Sequence, residues 1–595
     1  MASPASEPTF SFSPNPRELQ EHNPEFPSLE DQVEQFGQRY RGQVSQLSPA
    51  ELAVALQELA QFMQALQGIP FTAVSPANET DRWAGLEQAI TLQNQLLFFP
   101  LELQALPIER LTEHRAEPEL LRFRLYLSRL LQQRGYQQPE PLEQLLNQHH
   151  LTGRLAWRQL WQVALNVPER HSLRIAEQER AYTMHQGRAD ANAQLQGLQT
   201  HPSPEIRLAA YQRLYQHLEA HADLCGFILN TLVRDQLWEA QWRGYDSAAE
   251  LYLARHGLAP APFENLLEGI RDRFDLFQRY YRLKSREMGR SIRICDLHAP
   301  WEDPAPTLTA AEASSLIWAA LQDFCPECAT QAKPWLAEVG DEEAEQEPEE
   351  LAVGLPLSKA LTCVSRGLRP EDPLVWPDLE DLLGDPQPSA LVQFHSAFLQ
   401  LLVLDHLLPS GSPRWRERLS SQQLALAQAV LIHYLEAHLQ AVFCQSLISR
   451  LEGILYRPGI SELENGETYP FWVSEEWLKL YQELCGDAVE LLPEHQFDWV
   501  GIPELFLRPF SAHQASLSSL VALACYRRYH LSPRDFLPRY LNWLASPPGS
   551  LTLEESAQML QVDLTDADGV LQALEELEHW IETLEELLEE GPNHR

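Results

Sequence analysis

The residues best suited to chemistry are histidines, carboxylates and cysteines in the second half of the chain. The most telling run is Leu391-Val-Gln-Phe-His-Ser-Ala-Phe-Leu-Gln400. A zinc-binding HExxH helix works because two histidines one turn apart grip the ion from one helix face. The glutamate after the first histidine activates the metal-bound water. His395 fills the first position, but Ser396 stands at the general base and Leu399 at the second histidine. With one ligand and no base, this stretch has no means for metal-assisted hydrolysis.

A rebuilt metal site would have to draw on Asp405, His406, His433, Glu436 and His438. His433 and His438 are five residues apart, about 140° around a helix, so both cannot turn to one ion. A polar helix face is the simpler expectation. Cys325-Pro-Glu-Cys328 is a CxxC that could bind metal or exchange redox equivalents. There is no second CxxC and no βαβ pattern around it. Cys295, His298 and Cys363 could complete a ligand set only if folding gathers them, so a structural pair is expected. His149-His150 reads as a solvated turn ahead of Leu151-Thr-Gly153. No G-x-S-x-G elbow, P-loop or G-x-G-x-x-G fingerprint appears.

The elements that must position these residues are mainly helical. A chain of 595 residues exceeds the usual single core, and 44% hydrophobic residues with 15 Trp can bury a large interior. Only 26 Gly, with many Leu-, Gln-, Ala- and Glu-rich runs, argue for helices. A formal charge of −39 disfavours nucleic acid and anionic membrane surfaces, which need clustered cations. No apolar run of about 20 residues is evident, so no membrane span is expected. The first residues lack a basic region and an apolar core, so no secretory leader is expected. Eight scattered cysteines suit a reducing, cytoplasmic setting.

Residues 1–25, rich in Pro, Ser and Asn, predict a flexible arm. Helices are predicted at 48–66, 120–131, 204–245 with a break near His221, 262–288, 389–408, 420–455 and 570–588. Residues 341–350 predict an acidic loop. The Pro- and Gly-punctuated stretch 355–389 could hold a strand or two.

Four blocks then resemble oligoendopeptidase F, of the thimet-oligopeptidase-like zinc metallopeptidases. They are Phe227-Ile-Leu-Asn-Thr-Leu-Val-Arg-Asp235 with Arg243-Gly-Tyr245; Gln278-Arg-Tyr-Tyr-Arg-Leu-Lys284 with Cys295-Asp-Leu-His-Ala-Pro300; Trp499-Val-Gly-Ile-Pro-Glu-Leu-Phe-Leu-Arg-Pro-Phe510; and Tyr540-Leu-Asn-Trp-Leu544 with Val562-Asp-Leu-Thr565. Their order and spacing cover nearly the whole chain.

The resemblance implies a two-lobed, all-α, zincin-like fold with a deep central channel and at most a small β-sheet. Its N-terminal lobe would be residues 26–200 and its peptidase lobe residues 201–590. It also implies where the family's site would fall. The first zinc histidine maps to His395, the base to Ser396, the second histidine to Leu399 and the third ligand, a glutamate, near Gln428. A substrate-contacting histidine maps to Glu504, and tyrosines facing the scissile carbonyl map to Ser511, His513 and Ala515. No catalytic residue is intact, and no bound zinc is expected at vestigial His395. The leading reading is a pseudopeptidase that holds a peptide or protein tail in the channel. The first alternative is a zinc oligopeptidase with displaced ligands such as His406, His433 and Glu436. The second is a scaffold acting through its acidic surface and residues 341–350.

Overall fold

The computed structural model describes residues 28–67, 79–165, 173–175, 178–180, 197–255, 260–301, 306–344, 351–352, 354–370, 374, 389–408, 420–457 and 468–589. The expected arm at residues 1–25 lies outside them. Helices dominate, and the strands are short pairs. Leu173–Ile175 runs antiparallel to Gln178–Arg180, Ile292–Arg293 parallel to Val489–Glu490, and Thr307–Leu308 antiparallel to Leu351–Ala352. The all-α expectation with little sheet therefore holds.

The chain forms two compact units, one reaching to Gly153 and the other starting at Arg154. This differs from the expected division at residue 200, because the helix Arg154–Leu165 packs against the long helix Pro204–Arg243. Arg154 also ion-pairs there with Asp235 and Glu239. In the first unit, Leu29–Tyr40 opens on a capping box between Ser28 and Asp31. It buries Phe36 among the rings of Tyr40, Phe62, Phe98 and Phe99. His149 and His150 lie in the last turn of the helix Glu140–Thr152, not in a separate turn, because the helix continues to Gly153.

The second unit holds every candidate site residue. Its longest element, Pro204–Arg243, is capped by Ser203 and ends where Gly244 turns left-handed at φ 92°. The expected break near His221 does not occur. His221 bonds the His217 carbonyl one turn back, and Cys225, Ile228, Leu229 and Leu232 carry the buried face onward. The expected helix at 262–288 is two helices, Pro260–Arg271 and Phe274–Met288. That at 420–455 passes from Ser421–Leu439 through a π turn at Gln440–Cys444 into Gln445–Leu455. Gly354–Leu368, read as a strand region, is helical. Asp341–Ala344, read as acidic loop, ends the helix Pro326–Ala344, and 345–350 lie outside the described residues.

One helix, Ala390–Leu407, is long and apolar enough by composition to cross a membrane, a feature the sequence reading passed over. In this fold its Phe394, Phe398, Leu401 and Leu402 are buried. It packs against His513–Leu531, Ala310–Phe324 and Gly354–Leu368.

A buried ion cluster ties the long helix to the turn Ile294–Asp296. Arg207 donates from Nε and Nη2 to Asp296 Oδ1 at 3.0 and 2.8 Å, and both side chains are fully buried. Arg290 and Arg293 donate to Oδ2 at 2.7 and 3.2 Å. Burial pushes the Asp296 carboxyl up, but Arg290 and Arg207 outweigh it and hold the pKa below the usual value. Removing one partner of a buried pair strands the other charge, which typically costs about 3–5 kcal/mol. Asp296→Ala is therefore expected to lower unfolding free energy by about that amount in urea titration. A loss below about 1 kcal/mol would show the cluster to be dispensable.

Candidate functional site

The helix Ala390–Leu407 starts at Ser389, whose hydroxyl caps Val392, and carries His395. The ring of His395 is fully buried and turned into the core. Its Nε2 hydrogen-bonds the Tyr540 hydroxyl at 2.7 Å, and its ring meets Trp543 edge-on at 5.2 Å. Burial pushes its pKa down to about 3, so at neutral pH it is an uncharged core imidazole. Ser396 and Leu399 are also buried. Phe398 is packed among Phe324, Phe536 and Tyr540. Gln428 is half-buried on the helix Ser421–Leu439.

A second polar cluster lies on other helices. Glu436 Oε1 accepts from Lys284 Nζ at 2.7 Å, Tyr280 Oη at 2.9 Å and Trp301 Nε1 at 3.3 Å. Lys284 also donates to the Leu297 carbonyl at 2.7 Å, and its ammonium lies 5.8 Å from the Trp301 ring centre. One turn back from Glu436, His433 Nε2 meets Ser358 Oγ at 3.3 Å. Burial lowers the Lys284 pKa against the pull of Glu436. Burial raises the Glu436 carboxyl, but Lys284 outweighs it and keeps the pKa low. The pair is thus a mutually compensated charge couple. His298 is solvent-exposed, yet desolvation still lowers its pKa, as it does for His433. Glu436 lies close enough to both rings to act on them electrostatically, pulling each pKa back up in part.

The structure therefore gathers Glu436, His433 and His298, and separates them from the other candidates. His406 bonds Asp323 at 2.6 Å, and Asp405 accepts from Tyr526 at 3.2 Å. His438 turns to Ser519 Oγ at 2.6 Å, away from the Ser358 partner of His433, as a five-residue spacing requires. Cys325 and Cys328 are buried, and Cys325 Sγ accepts from the Cys328 amide at 3.3 Å at the start of Pro326–Ala344. Cys363 donates to the Trp335 carbonyl at 3.7 Å. Glu504 is half-buried in the short helix Pro503–Leu507. Ser511 and Ala515 are half-buried, while His513 is buried edge-on to Phe263 at 5.4 Å.

Sequence reasoning missed Lys284. It lies inside the quoted block Gln278–Lys284, on the same helix face as Tyr280 four residues earlier. Its partner Glu436 is 152 residues away, and no local pattern announces such a pairing.

Zinc does not fit these donors. Nε2 of His395 is held by Tyr540, and Ser396 and Leu399 supply no strong ligand. Beside Glu436 the cation is the Lys284 ammonium. Among the described residues no three His, Cys, Asp or Glu side chains are grouped to hold a metal ion. The motif has not moved elsewhere, since no histidine in the 595 residues is followed by glutamate.

The arrangement is an all-helical fold whose sequence carries no HExxH pattern. A family model described as oligopeptidase F matches residues 102–165. An oligoendopeptidase F homolog of Lactococcus lactis subsp. lactis (strain IL1403) is 23% identical over 407 residues, 65% of each chain. A plasmid-encoded oligoendopeptidase F of Lactococcus lactis subsp. cremoris is also 23% identical over 407 residues, again 65% of each chain. The match thus spans just under two thirds of these curated relatives. The crystal structure of oligoendopeptidase-F from Enterococcus faecium superposes with a TM-score of 0.70 at 19% identity, covering 97% of this chain and 99% of that one. In sequence and in its all-helical fold the chain is similar to oligoendopeptidase F.

Three buried histidines make stability pH-dependent. His395 has its pKa lowered to about 3, and His438 and His513 to about 4, in each case by burial. Below the ordinary value near 6.5 the unfolded chain takes up protons that the folded chain refuses. Stability is therefore present above about pH 6.5 and lost as pH falls toward about 4, by up to about 1.4 kcal/mol per pH unit for each ring. The urea midpoint should fall between pH 7 and pH 5. His395→Phe should be less stable at pH 7, because Tyr540 loses its partner, yet show a shallower slope. An unchanged slope would mean that His395 does not titrate in this way.

Proposed function

We propose that this chain is a non-hydrolytic oligoendopeptidase F relative that binds extended peptides through the polar cluster around Glu436. The observation that carries the reading is the setting of His395. Its imidazole is neutral, fully buried and bonded to Tyr540 where a zinc peptidase needs a metal ligand. Beside it Ser396 cannot accept a proton from an attacking water as a carboxylate does. The positions matching the family's carbonyl-facing tyrosines hold Ser511, His513 and Ala515, which removes phenolic donors from a developing oxyanion.

The Glu436 cluster supplies means for recognition instead. All three donors to Glu436 converge on Oε1, and Oε2 makes no hydrogen bond among the described residues. That oxygen suits a peptide N–H or a protonated amino terminus. Neutral His298 offers one donor and one acceptor to a peptide backbone. Lys284 holds the carboxylate charged and fixed, so little ordering is left for the ligand to impose.

The full chain, dialysed against zinc, should carry far less than one ion per chain and leave a mixed peptide library intact. Fluorescence anisotropy should show saturable binding of short labelled peptides, weakened at least tenfold in Glu436→Gln and in His298→Ala. The second variant leaves the Lys284 pair in place and separates lost recognition from lost folding. Stoichiometric zinc whose chelation stops peptide cleavage would overturn the reading.

Restoring the motif's letters is not expected to restore the metal. The triple variant Ser396→Glu, Leu399→His, Gln428→Glu should still bind zinc substoichiometrically after dialysis, because His395 remains turned toward Tyr540. One tightly held ion per chain in that variant would show the helix free to rotate its ligands outward.

A further inference from the structure

The long helix Pro204–Arg243 presents an apolar stripe that the proposed peptide site does not use. Leu224 is 41% exposed, Phe227 58%, Trp238 58% and Trp242 38%. Successive steps of three or four residues, with Thr231 and Arg234 between them, keep these positions within about 80° of one helix face. The four span about 27 Å of helix. Aromatic side chains this large are seldom left so open, and a contiguous group of them marks an interaction site.

The stripe is a shaped surface. The Trp238 and Trp242 rings lie parallel, 4° apart in plane and 6.0 Å between centres. Phe227 is held edge-on by Trp157 at 5.6 Å. Next to it, Gly226 lets Pro470 lie so close that a β-carbon at that position would come within 2.7 Å of the proline ring. Neighbouring Phe471 is half open, and this buttressing leaves little side-chain freedom to be lost on contact.

Charge narrows the occupant. The whole chain carries −39, yet the exposed charged residues from Asp223 to Trp242 are one of each sign, Asp223 and Arg234, and the partly exposed Asp235 is paired with Arg154. A basic partner would find no acidic rim here to steer it. A second copy of this strongly acidic chain needs a charge-balanced face on which to approach. At about 200 Å² per aromatic side chain, the stripe and Phe471 expose on the order of 500 Å² of apolar surface per copy. With its polar flanks it approaches the roughly 800 Å² per partner of a stable interface.

The geometry points to a symmetric homodimer formed through this face. Two long helices cross antiparallel about a two-fold axis at the level of Leu232 and Val233. Leu224 and Phe227 of one copy then meet Trp238 and Trp242 of the other, and the contact is self-complementary and closed. Its three- and four-residue spacing is that of ridges packing between helices.

Light scattering coupled to gel filtration tests this on the full chain at about 50 µM, where a micromolar dimer is populated. Wild type should run at twice the 68.0 kDa chain mass. Phe227→Glu and Trp238→Glu, both at exposed positions, should each shift the mass toward a single chain with unchanged far-ultraviolet circular dichroism. Trp238→Ala should weaken association without adding charge. A wild type at single-chain mass overturns the proposal, including the case in which neutral lipid vesicles or an apolar peptide perturb the Trp238 and Trp242 fluorescence. So does a Phe227→Glu, Trp238→Glu double variant that keeps the doubled mass.

Discussion

The second unit depends on a carboxylate that water never reaches. Asp296 is fully buried and is held by Arg207 from the long helix and by Arg290 and Arg293 from the segment before it. That cluster fixes the turn Ile294–Asp296. The turn in turn brings Leu297, His298 and Trp301 to the end of the helix that carries Tyr280 and Lys284. A buried charge is poor at adding stability and good at specifying position, because misplacing it leaves it unpaired. The cluster around Glu436 is the beneficiary. Its lysine, tyrosine and tryptophan donors come from the segment Tyr280–Trp301 that Asp296 anchors.

His395 and Glu436 follow opposite logic. His395 is surrounded by aromatic rings and kept neutral, so it behaves as a core residue, with Nε2 bonded to Tyr540 and Nδ1 buried without a hydrogen bond among the described residues. Glu436 remains ionised, because an ammonium at 2.7 Å offsets the desolvation that would otherwise protonate it. Three donors on one oxygen leave its carboxylate little rotational freedom. A metal site needs several unsatisfied lone pairs aimed at one point. Here His395, His406, His433 and His438 each spend a ring nitrogen on a different neighbour: Tyr540, Asp323, Ser358 and Ser519.

Much of the fold was legible because it is written in local terms. The stripe Val570, Leu574, Leu577, Ile581 and Leu584 reads as a buried helix face and is one. Ser389 and Ser420 announce the helices they cap. The errors came where long-range packing overrides local preference. His221 continues a helix because its neighbours are buried, and Gly354–Leu368 is helical despite its punctuated surroundings. At the site, the residue types at His395, Ser396 and Leu399 were visible in the letters, whereas the pairing of Lys284 was not. An i,i+4 pair can be counted along a sequence. An ion pair across 152 residues exists only after the chain has folded.

The position of the lysine bears on how far this chain stands from zinc chemistry. A divalent ion beside Glu436 would have to approach an ammonium already bonded to that carboxylate and to the Leu297 carbonyl. Displacing Lys284 would leave a fully buried cation without its counter-charge, at a cost of several kcal/mol before any metal bond forms. At His395 the obstacle is of another kind. Freeing its Nε2 would orphan the Tyr540 hydroxyl in a fully buried setting, which costs about 1–3 kcal/mol. The two obstacles lie in different hydrogen-bond networks and must be overcome separately. A peptide N–H reaching Glu436 Oε2 meets neither obstacle, since it leaves both networks intact. A bound ion at these residues is therefore opposed twice over, once by a charge that would be stranded and once by a hydroxyl that would be orphaned.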